Sequence, residues 1–110
     1  MIEVECHISI KKDGVCFLNP VRTALLKAIR TTGSLNSAAK LQKISYQHAW
    51  SMINDMNTAA PEPLVAKQRG GAHGGGAVIT AYGERILNEY DLILKQINKT
   101  VCQVNVEINL

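Results

Sequence analysis

The sequence predicts an α+β fold that is mainly helical and organised around one pair of short helices. Apolar residues recur at helical spacing in two runs within residues 35–57, and a break separates the runs. Two strand-like runs joined by a glycine-rich segment follow at residues 64–80. A longer helical stripe occupies residues 81–101. Because 110 residues is near the usual size of one domain, we expect a single domain over residues 1–110.

The first ten residues alternate between apolar and polar side chains, which predicts a half-buried strand. A turn signal follows at Lys12, Asp13 and Gly14, and residues 15–18 are typical of a short returning strand. We therefore expect one or two strands at the amino terminus. The apolar positions of the alternation are Ile2, Val4, Cys6, Ile8 and Ile10.

A support helix is predicted directly before the helix pair. Asn19 suits the N-cap, and Pro20 suits the first helical position, where its missing N–H costs nothing. Gly33 suits the end of this helix because glycine tolerates the left-handed conformation found there. The apolar stripe consists of Leu25, Leu26 and Ile29.

The helix pair begins with a short helix over about residues 36–41. Residues 42–44 interrupt the helical spacing of the apolar residues. Ser45 is a good N-cap for a second helix starting at Tyr46. Two helices joined by a tight turn predict a helix-turn-helix over about residues 35–57. The expected apolar face of the first helix consists of Leu35, Ala38, Ala39 and Leu41.

The second helix of the pair has two chemically distinct sides. Ala49, Ile53 and Met56 form an apolar side, and Trp50 on its flank is assigned to the core because large aromatic residues are common core anchors. The opposite side is polar, and the second helix of a helix-turn-helix enters the DNA major groove. An ordinary amphipathic surface helix is the alternative interpretation. The polar side carries Gln47, His48, Ser51, Asn54 and Asp55.

The glycine-rich segment connects two strand-like runs, residues 64–68 and 77–80. A hairpin beside a helix-turn-helix is the wing of a winged helix, and glycines at its tip allow close approach to a sugar-phosphate backbone. Lys67 and Arg69 at its base are candidates for pairing with phosphates; a merely flexible tip is the alternative. The glycines fit neither a Walker loop nor a Rossmann fingerprint, and His73 has no partner cluster, so no cofactor or metal is expected.

Thr80 suits the N-cap of a final helix over residues 81–101, which is longer than a small core requires. We therefore expect it to form the interface of a homodimer, which would place two recognition helices roughly 34 Å apart on DNA. Cover for the strands of the same chain is the alternative. Residues 104–110 alternate and predict a closing strand. The helical stripe consists of Tyr82, Ile86, Leu87, Tyr90, Ile93, Leu94, Ile97 and Val101.

Positive charge is concentrated around the helix pair. The net charge is only +3, but residues 14–54 contain basic residues and no acid. This distribution favours phosphate neutralisation, with a solvated basic face as the alternative. The basic residues are Arg22, Lys27, Arg30, Lys40 and Lys43.

The sequence has no signal for a membrane span, for export or for a disulfide framework. No apolar run approaches the length of a span, and the amino terminus lacks the pattern of a signal peptide. We expect a soluble cytoplasmic protein that associates with the nucleoid when it binds DNA. Cys6, Cys16 and Cys102 are far apart and are predicted to be free thiols buried as small hydrophobes.

Two segments resemble the DNA-binding domain of the ModE-type molybdate-responsive regulators, and more distantly that of the LysR-type regulators. Residues 33–57 contain Ser-Tyr-x-x-Ala-Trp from Ser45 and Ile-Asn-x-Met-Asn from Ile53, and residues 64–87 contain the glycine-rich wing running into Ala-Val-Ile-Thr. The resemblance covers most of the chain and implies a dimeric winged helix-turn-helix transcription regulator that binds double-stranded DNA. Family members sense molybdate through additional carboxy-terminal domains, so no molybdate site is expected within residues 1–110.

The predicted DNA-binding residues divide into those that read bases and those that position the protein. Amide and hydroxyl side chains can bond base edges in the major groove, whereas lysine and arginine contact phosphates without reading sequence. The base-reading residues are Gln47, His48, Ser51 and Asn54. The positioning residues are Lys40, Lys43, Lys67 and Arg69, with Tyr46 contacting a phosphate through its hydroxyl, and Ser45 and His73 complete the predicted set.

A second class of function remains open at this point. A winged helix can also serve as a dimeric adaptor that binds protein, and steep salt dependence of DNA affinity would separate the two functions. An enzyme is not expected, because the histidines fall in a strand, a helix and a loop, and no spacing supports a paired-carboxylate, Cys-His or Ser-His site.

Overall fold

The computed structural model describes residues 2–68 and 76–104. Within them the fold is mainly helical, with four helices and two small antiparallel sheets of two strands each. This composition is compatible with a winged helix-turn-helix. The elements in chain order are β1 (Ile10–Lys12), β2 (Val15–Leu18), α1 (Pro20–Thr32), α2 (Leu35–Leu41), α3 (Tyr46–Ala59), β3 (Val65–Gln68), β4 (Gly76–Ile79) and α4 (Ala81–Val101).

Every helix begins at a side chain that accepts a hydrogen bond from the first turn. The Asn19, Ser45 and Thr80 caps are confirmed, and their oxygens accept from the backbone N–H groups three residues on. Ser34 caps α2 in the same way. Gly33 ends α1 in the left-handed conformation, with φ of 72°, as predicted.

The amino-terminal prediction was right in part. The short returning strand is confirmed as β2 and pairs with Ile10–Lys12, whereas residues 2–9 pair with no strand among the described residues. Ile2 and Val4 are 40% and 46% exposed. Cys6, Ile8 and Ile10 are nevertheless half-buried, while the side chains between them are exposed. The segment is held by a side chain, since the Tyr90 hydroxyl donates a 3.0 Å bond to the Ile8 carbonyl. The closing strand predicted for residues 104–110 lies outside the described residues, apart from Val104.

The core lies where α1, α2 and α3 meet β4 and α4. The predicted stripes of α1 and α3 are confirmed as buried, and Leu64 before β3 is fully enclosed. These side chains make burial of apolar surface the main stabilising term of the domain. The largest fully buried side chains are Leu18, Leu25, Leu26, Ile29, Met56, Leu64 and Leu87.

Leu41 and Cys102 are among the apolar residues that were wrongly assigned to the interior. Leu41 is 58% exposed, because it lies roughly 120° around the axis of α2 from Leu35, at 100° per residue. Ala38 and Ala39 lie only about 60° and 40° from Leu35 around the axis and are buried as predicted. Cys102 is exposed because it follows the end of α4, beyond the part of that helix that packs on the core, whereas Cys6 and Cys16 are half-buried.

The wing strands are attached to the rest of the domain by backbone contacts at both ends. The Ala77 N–H donates to the Gly33 carbonyl at 3.0 Å, and the Thr80 N–H donates to the Leu64 carbonyl at 2.9 Å. Gly83 in the first turn of α4 lies so close to Leu64 that a Cβ atom would collide with the Leu64 carbonyl oxygen and with Ile79. The missing side chain of Gly83 therefore sets how closely α4 approaches the base of the wing.

Helix α4 covers the core with its first half and extends beyond it. Leu87 and Tyr90 are buried, whereas Leu92 is 60% and Ile93 38% exposed. The helix has the bounds predicted for it, and Ile93 is one of the stripe residues that the core of a single chain leaves partly exposed. Among residues 2–68 and 76–104, no helix combines the length and the apolar character needed to cross a membrane.

Replacing Gly83 with alanine should lower the free energy of unfolding by about 1–3 kcal/mol, the range for overpacking a closely packed site. Alanine in an open helix would instead stabilise by up to about 1 kcal/mol relative to glycine. Urea unfolding of Gly83→Ala measures the difference. Asn88→Ala, at an exposed position of α4, is the control and should change stability by less than about 0.5 kcal/mol. A stabilised Gly83→Ala variant would contradict the close packing.

Candidate nucleic-acid interface

Helix α3 separates its residues into a buried side and an exposed side. Ala49, Met52, Ile53 and Met56 are buried, which confirms the predicted apolar side and adds Met52 to it. All of the predicted polar positions are exposed, so the structure brings these side chains together on one accessible surface. They are Gln47, His48, Ser51, Asn54 and Asp55.

The turn between α2 and α3 fixes the start of this surface. The Lys43 N–H donates to the Lys40 carbonyl at 3.1 Å, and the Ile44 N–H donates to the Ala39 carbonyl at 3.0 Å. Lys43 has φ of 58°, a left-handed conformation that non-glycine residues adopt rarely and that reverses the chain sharply. Half-buried Ile44 packs against the core and holds the turn in place. Ser45 acts here as the cap of α3, since its hydroxyl accepts the His48 N–H at 3.0 Å.

The assignment of Trp50 to the core was wrong, because its side chain is 51% exposed. At 100° per residue, Trp50 lies roughly 100° from Ala49 around the axis of α3, outside the narrow stripe that the core covers. Tyr46, one turn earlier on the same flank, is equally exposed. The two aromatic rings border a shallow concavity whose other walls are Gln47 and Ser51.

Folding changes the charge pattern that the sequence suggested. Three of the five basic residues predicted to surround the helix pair form ion pairs with acids from elsewhere in the chain. Arg22 lies 3.6 Å from Asp55 and also donates to the Cys16 carbonyl at 2.9 Å. The other two pairs are Lys27 with Asp91 at 3.0 Å and Arg30 with Glu84 at 2.9 Å.

The lysines nearest to α3 in the chain remain available for contact with an anionic partner. Lys40 at the end of α2 and Lys43 in the turn are exposed, and so is Lys67 on β3. Within the described part of the chain, none of the three forms an ion pair. The predicted contacts Arg69 and His73 lie outside the described residues. The positive charge at the candidate interface therefore comes from these three lysines.

Asn57 is a positioning residue that the sequence reasoning did not single out. Its side-chain oxygen accepts from the Leu64 N–H at 2.8 Å and from the Val65 N–H at 3.3 Å, and its side-chain nitrogen donates to the Val65 carbonyl at 3.0 Å. These bonds join the last turn of α3 to the start of β3. The signal in the sequence that could have identified it is an asparagine directly after Met56, on the flank of the apolar stripe, where a polar group needs a hydrogen-bond partner.

The described residues do not contain a cluster of three or more His, Cys, Asp or Glu side chains that could hold a metal ion. Buried side-chain nitrogen and oxygen atoms in the same residues all have hydrogen-bond partners. The chemistry offered by this surface is therefore that of exposed amide, hydroxyl, imidazole, aromatic and ammonium groups.

Asn57→Ala should lower the free energy of unfolding by about 1–3 kcal/mol, because backbone groups of Leu64 and Val65 lose their partners. Asn54→Ala is the matched control, with the same substitution in the same helix at an exposed position, and should change stability by less than about 0.5 kcal/mol. Urea unfolding monitored by circular dichroism measures both. Equal effects of the two substitutions would contradict the role assigned to Asn57.

No model of a known protein family matches the chain, but curated relatives do. The transcriptional regulator ModE of Yersinia pestis is 48% identical over 84% of this chain and 35% of the relative. The DNA-binding transcriptional dual regulator ModE of Escherichia coli K12 is 41% identical over the same shares. The molybdenum-pterin-binding protein MopB of Rhodobacter capsulatus is 38% identical over 81% of this chain and 33% of the relative. The chain thus spans about a third of the length of the relatives it matches. Over most of its own length it is a homologue of the ModE transcriptional regulators, and it fits an amino-terminal portion of such a protein.

Proposed function

We propose that this chain binds double-stranded DNA with sequence specificity, as a homodimer, and regulates transcription in the cytoplasm while associated with the nucleoid. The observation that carries the proposal is the division of α3 into a buried apolar side and an exposed polar side. A second helix held in this way by a helix-turn-helix is the element that enters the major groove. Relatives named as transcriptional regulators support the same function.

The exposed polar side of α3 would read base edges. Gln47 and Asn54 carry amides, which can bond adenine through two hydrogen bonds, and Ser51 can donate or accept. His48 lies in the first turn of α3, and residues near the start of a recognition helix are those that reach the bases. The four side chains therefore form the proposed reading surface.

The available lysines would position the protein on the phosphates. Lys40 and Lys43 precede α3, and Lys67 lies on the wing strand whose base is bonded to the last turn of α3 through Asn57. Contacts from these separate elements would fix the register of α3 without reading sequence. Arg69, His73 and the Tyr46 hydroxyl are proposed as further backbone contacts.

The second half of α4 would supply the dimer interface. Ile93 and the neighbouring Leu92 expose apolar surface beyond the part of the helix that covers the core. A two-fold contact between two such helices would bury that surface in both copies. Pairing of this kind would present two α3 helices to successive turns of the major groove.

Gln47→Ala and Lys67→Ala should weaken DNA binding in different ways. Loss of Gln47 should weaken the free energy of DNA binding by about 1–3 kcal/mol and relax the preference for one base at the position it contacts. Loss of Lys67 should weaken binding to all sequences alike and reduce the salt slope by about 1 per monomer. Lys95→Ala, an exposed lysine on α4, is the control that should leave both quantities unchanged. Titrations of a selected duplex and its single-position variants, at several salt concentrations, measure them.

Uniform effects of Gln47→Ala across all sequence variants would contradict the reading role of α3. Absence of salt-dependent affinity for any duplex would instead favour the protein-binding adaptor, since phosphate contacts always release counterions.

Ile93→Glu should raise the dimer dissociation constant at least tenfold, or about 1.4 kcal/mol, because a carboxylate placed in an apolar interface must be desolvated. The folded monomer should retain its stability, since Ile93 is exposed in it. Asn98→Asp, which adds the same charge at an exposed position on a different side of α4, is the control. Sedimentation equilibrium measures the association, and an unaffected dimer of Ile93→Glu would place the interface elsewhere.

A further inference from the structure

Tyr46 and Trp50 form an aromatic pair whose exposed rings the core does not explain, and the phosphate contact proposed for Tyr46 uses only its hydroxyl. They stand one helical turn apart on α3, and each is 51% exposed. Trp50 is the single tryptophan of the chain, and large aromatic side chains normally contribute to stability by being buried. A half-exposed tryptophan on the first turns of α3 therefore has a surface free for a partner.

The charges around the aromatic pair indicate an anionic partner. Lys40 and Lys43 precede the pair in the chain, and residues 14–54 contain no acid. Asp55, on the next turn of α3, lies 3.6 Å from Arg22, so its charge is partly compensated within the domain. A partner that fits this surface carries negative charge around small apolar groups. The DNA major groove has this character, because thymine C5-methyl groups lie between two rows of phosphates.

The spacing along α3 relates the aromatic pair to the proposed amide contact. Trp50 and Gln47 border the same concavity and are three residues apart, which corresponds to about 4.5 Å along the helix axis. Successive bases along one DNA strand are about 3.4 Å apart. A Gln47 bond to one base pair would therefore place the indole of Trp50 near the neighbouring pair.

We propose that Trp50, supported by Tyr46, is a specificity-determining residue that contacts thymine C5-methyl groups in the major groove next to the base pair bound by Gln47. This inference rests on the proposed function. The contact is with methyl groups and not with base faces, because a duplex presents only base edges in its groove. The aromatic pair would then select A·T pairs at one or two positions of each half-site.

Replacement of single thymines by deoxyuridine tests the contact, because it removes only the methyl group. The probe is a duplex of about 30 base pairs, selected by the full chain from a random library and long enough for two half-sites one turn apart. At one or two positions per half-site, deoxyuridine should weaken binding about fourfold, which corresponds to about 0.8 kcal/mol per methyl-sized group. The same replacement should have no effect on binding of Trp50→Ala, while Trp50→Phe should keep part of the sensitivity.

Fluorescence of the single tryptophan gives a second, independent readout. Binding of the selected duplex should shift the emission of Trp50 to shorter wavelength and reduce its quenching by acrylamide. Thermal unfolding should show Trp50→Ala to be folded, and Trp50→Phe controls for the packing lost with the buried half of the indole.

The outcomes separate this inference from the function on which it rests. A duplex that binds with steep salt dependence, but with no loss at any deoxyuridine and no change in Trp50 emission, would overturn the methyl contact and leave the proposed function standing. Failure to select any duplex would overturn both. A shift of Trp50 emission that follows protein concentration without DNA would assign the aromatic pair to contact with a second copy and would also overturn the proposal.

Discussion

Burial of one apolar stripe of α3 is the constraint on which the rest of the structure depends. Ala49, Met52, Ile53 and Met56 must leave water, and they do so against α1, α2 and β2. Burial of this stripe fixes the rotation of α3, so the amide, hydroxyl and imidazole side chains opposite it face solvent. The exposed polar side of α3 is thus a consequence of packing and requires no separate stabilising interaction.

The base of the wing is held to α3 and α4 by hydrogen bonds to its backbone and by close packing. Asn57 bonds the start of β3, the Thr80 N–H bonds the Leu64 carbonyl, and the absence of a side chain at Gly83 lets α4 pack on the same segment. Each of these contacts lies at the base of the hairpin. Lys67 therefore lies on a strand whose position relative to α3 is set by hydrogen bonds and close packing, as well as by apolar contact.

Features that depend on neighbouring residues in the chain could be predicted from the sequence, and features that depend on the assembled fold could not. The caps at Asn19, Ser45 and Thr80 need only their own first turn, and the stripes of α1 and α3 need only helical periodicity. Trp50 was misplaced because periodicity does not say how wide a stripe the core will cover. Residues 2–9 alternate like a strand, but no strand within residues 2–68 and 76–104 pairs with them, and Tyr90 holds the segment by a hydrogen bond. The ion pairs of Lys27 and Arg30 could not be foreseen, because their partners lie on α4, more than fifty residues away in sequence.

The most direct test of the central claim is a map of amide chemical shifts of the full chain as a selected DNA duplex is added. If α3 presents its polar side to base edges, the largest changes should fall on residues 45–54, including the side-chain amides of Gln47 and Asn54, with smaller changes at Lys40, Lys43 and Lys67. The second half of α4 should change little. Large shifts confined to α4 or to residues 2–9, with α3 unchanged, would contradict the assignment of α3 as the surface that meets DNA.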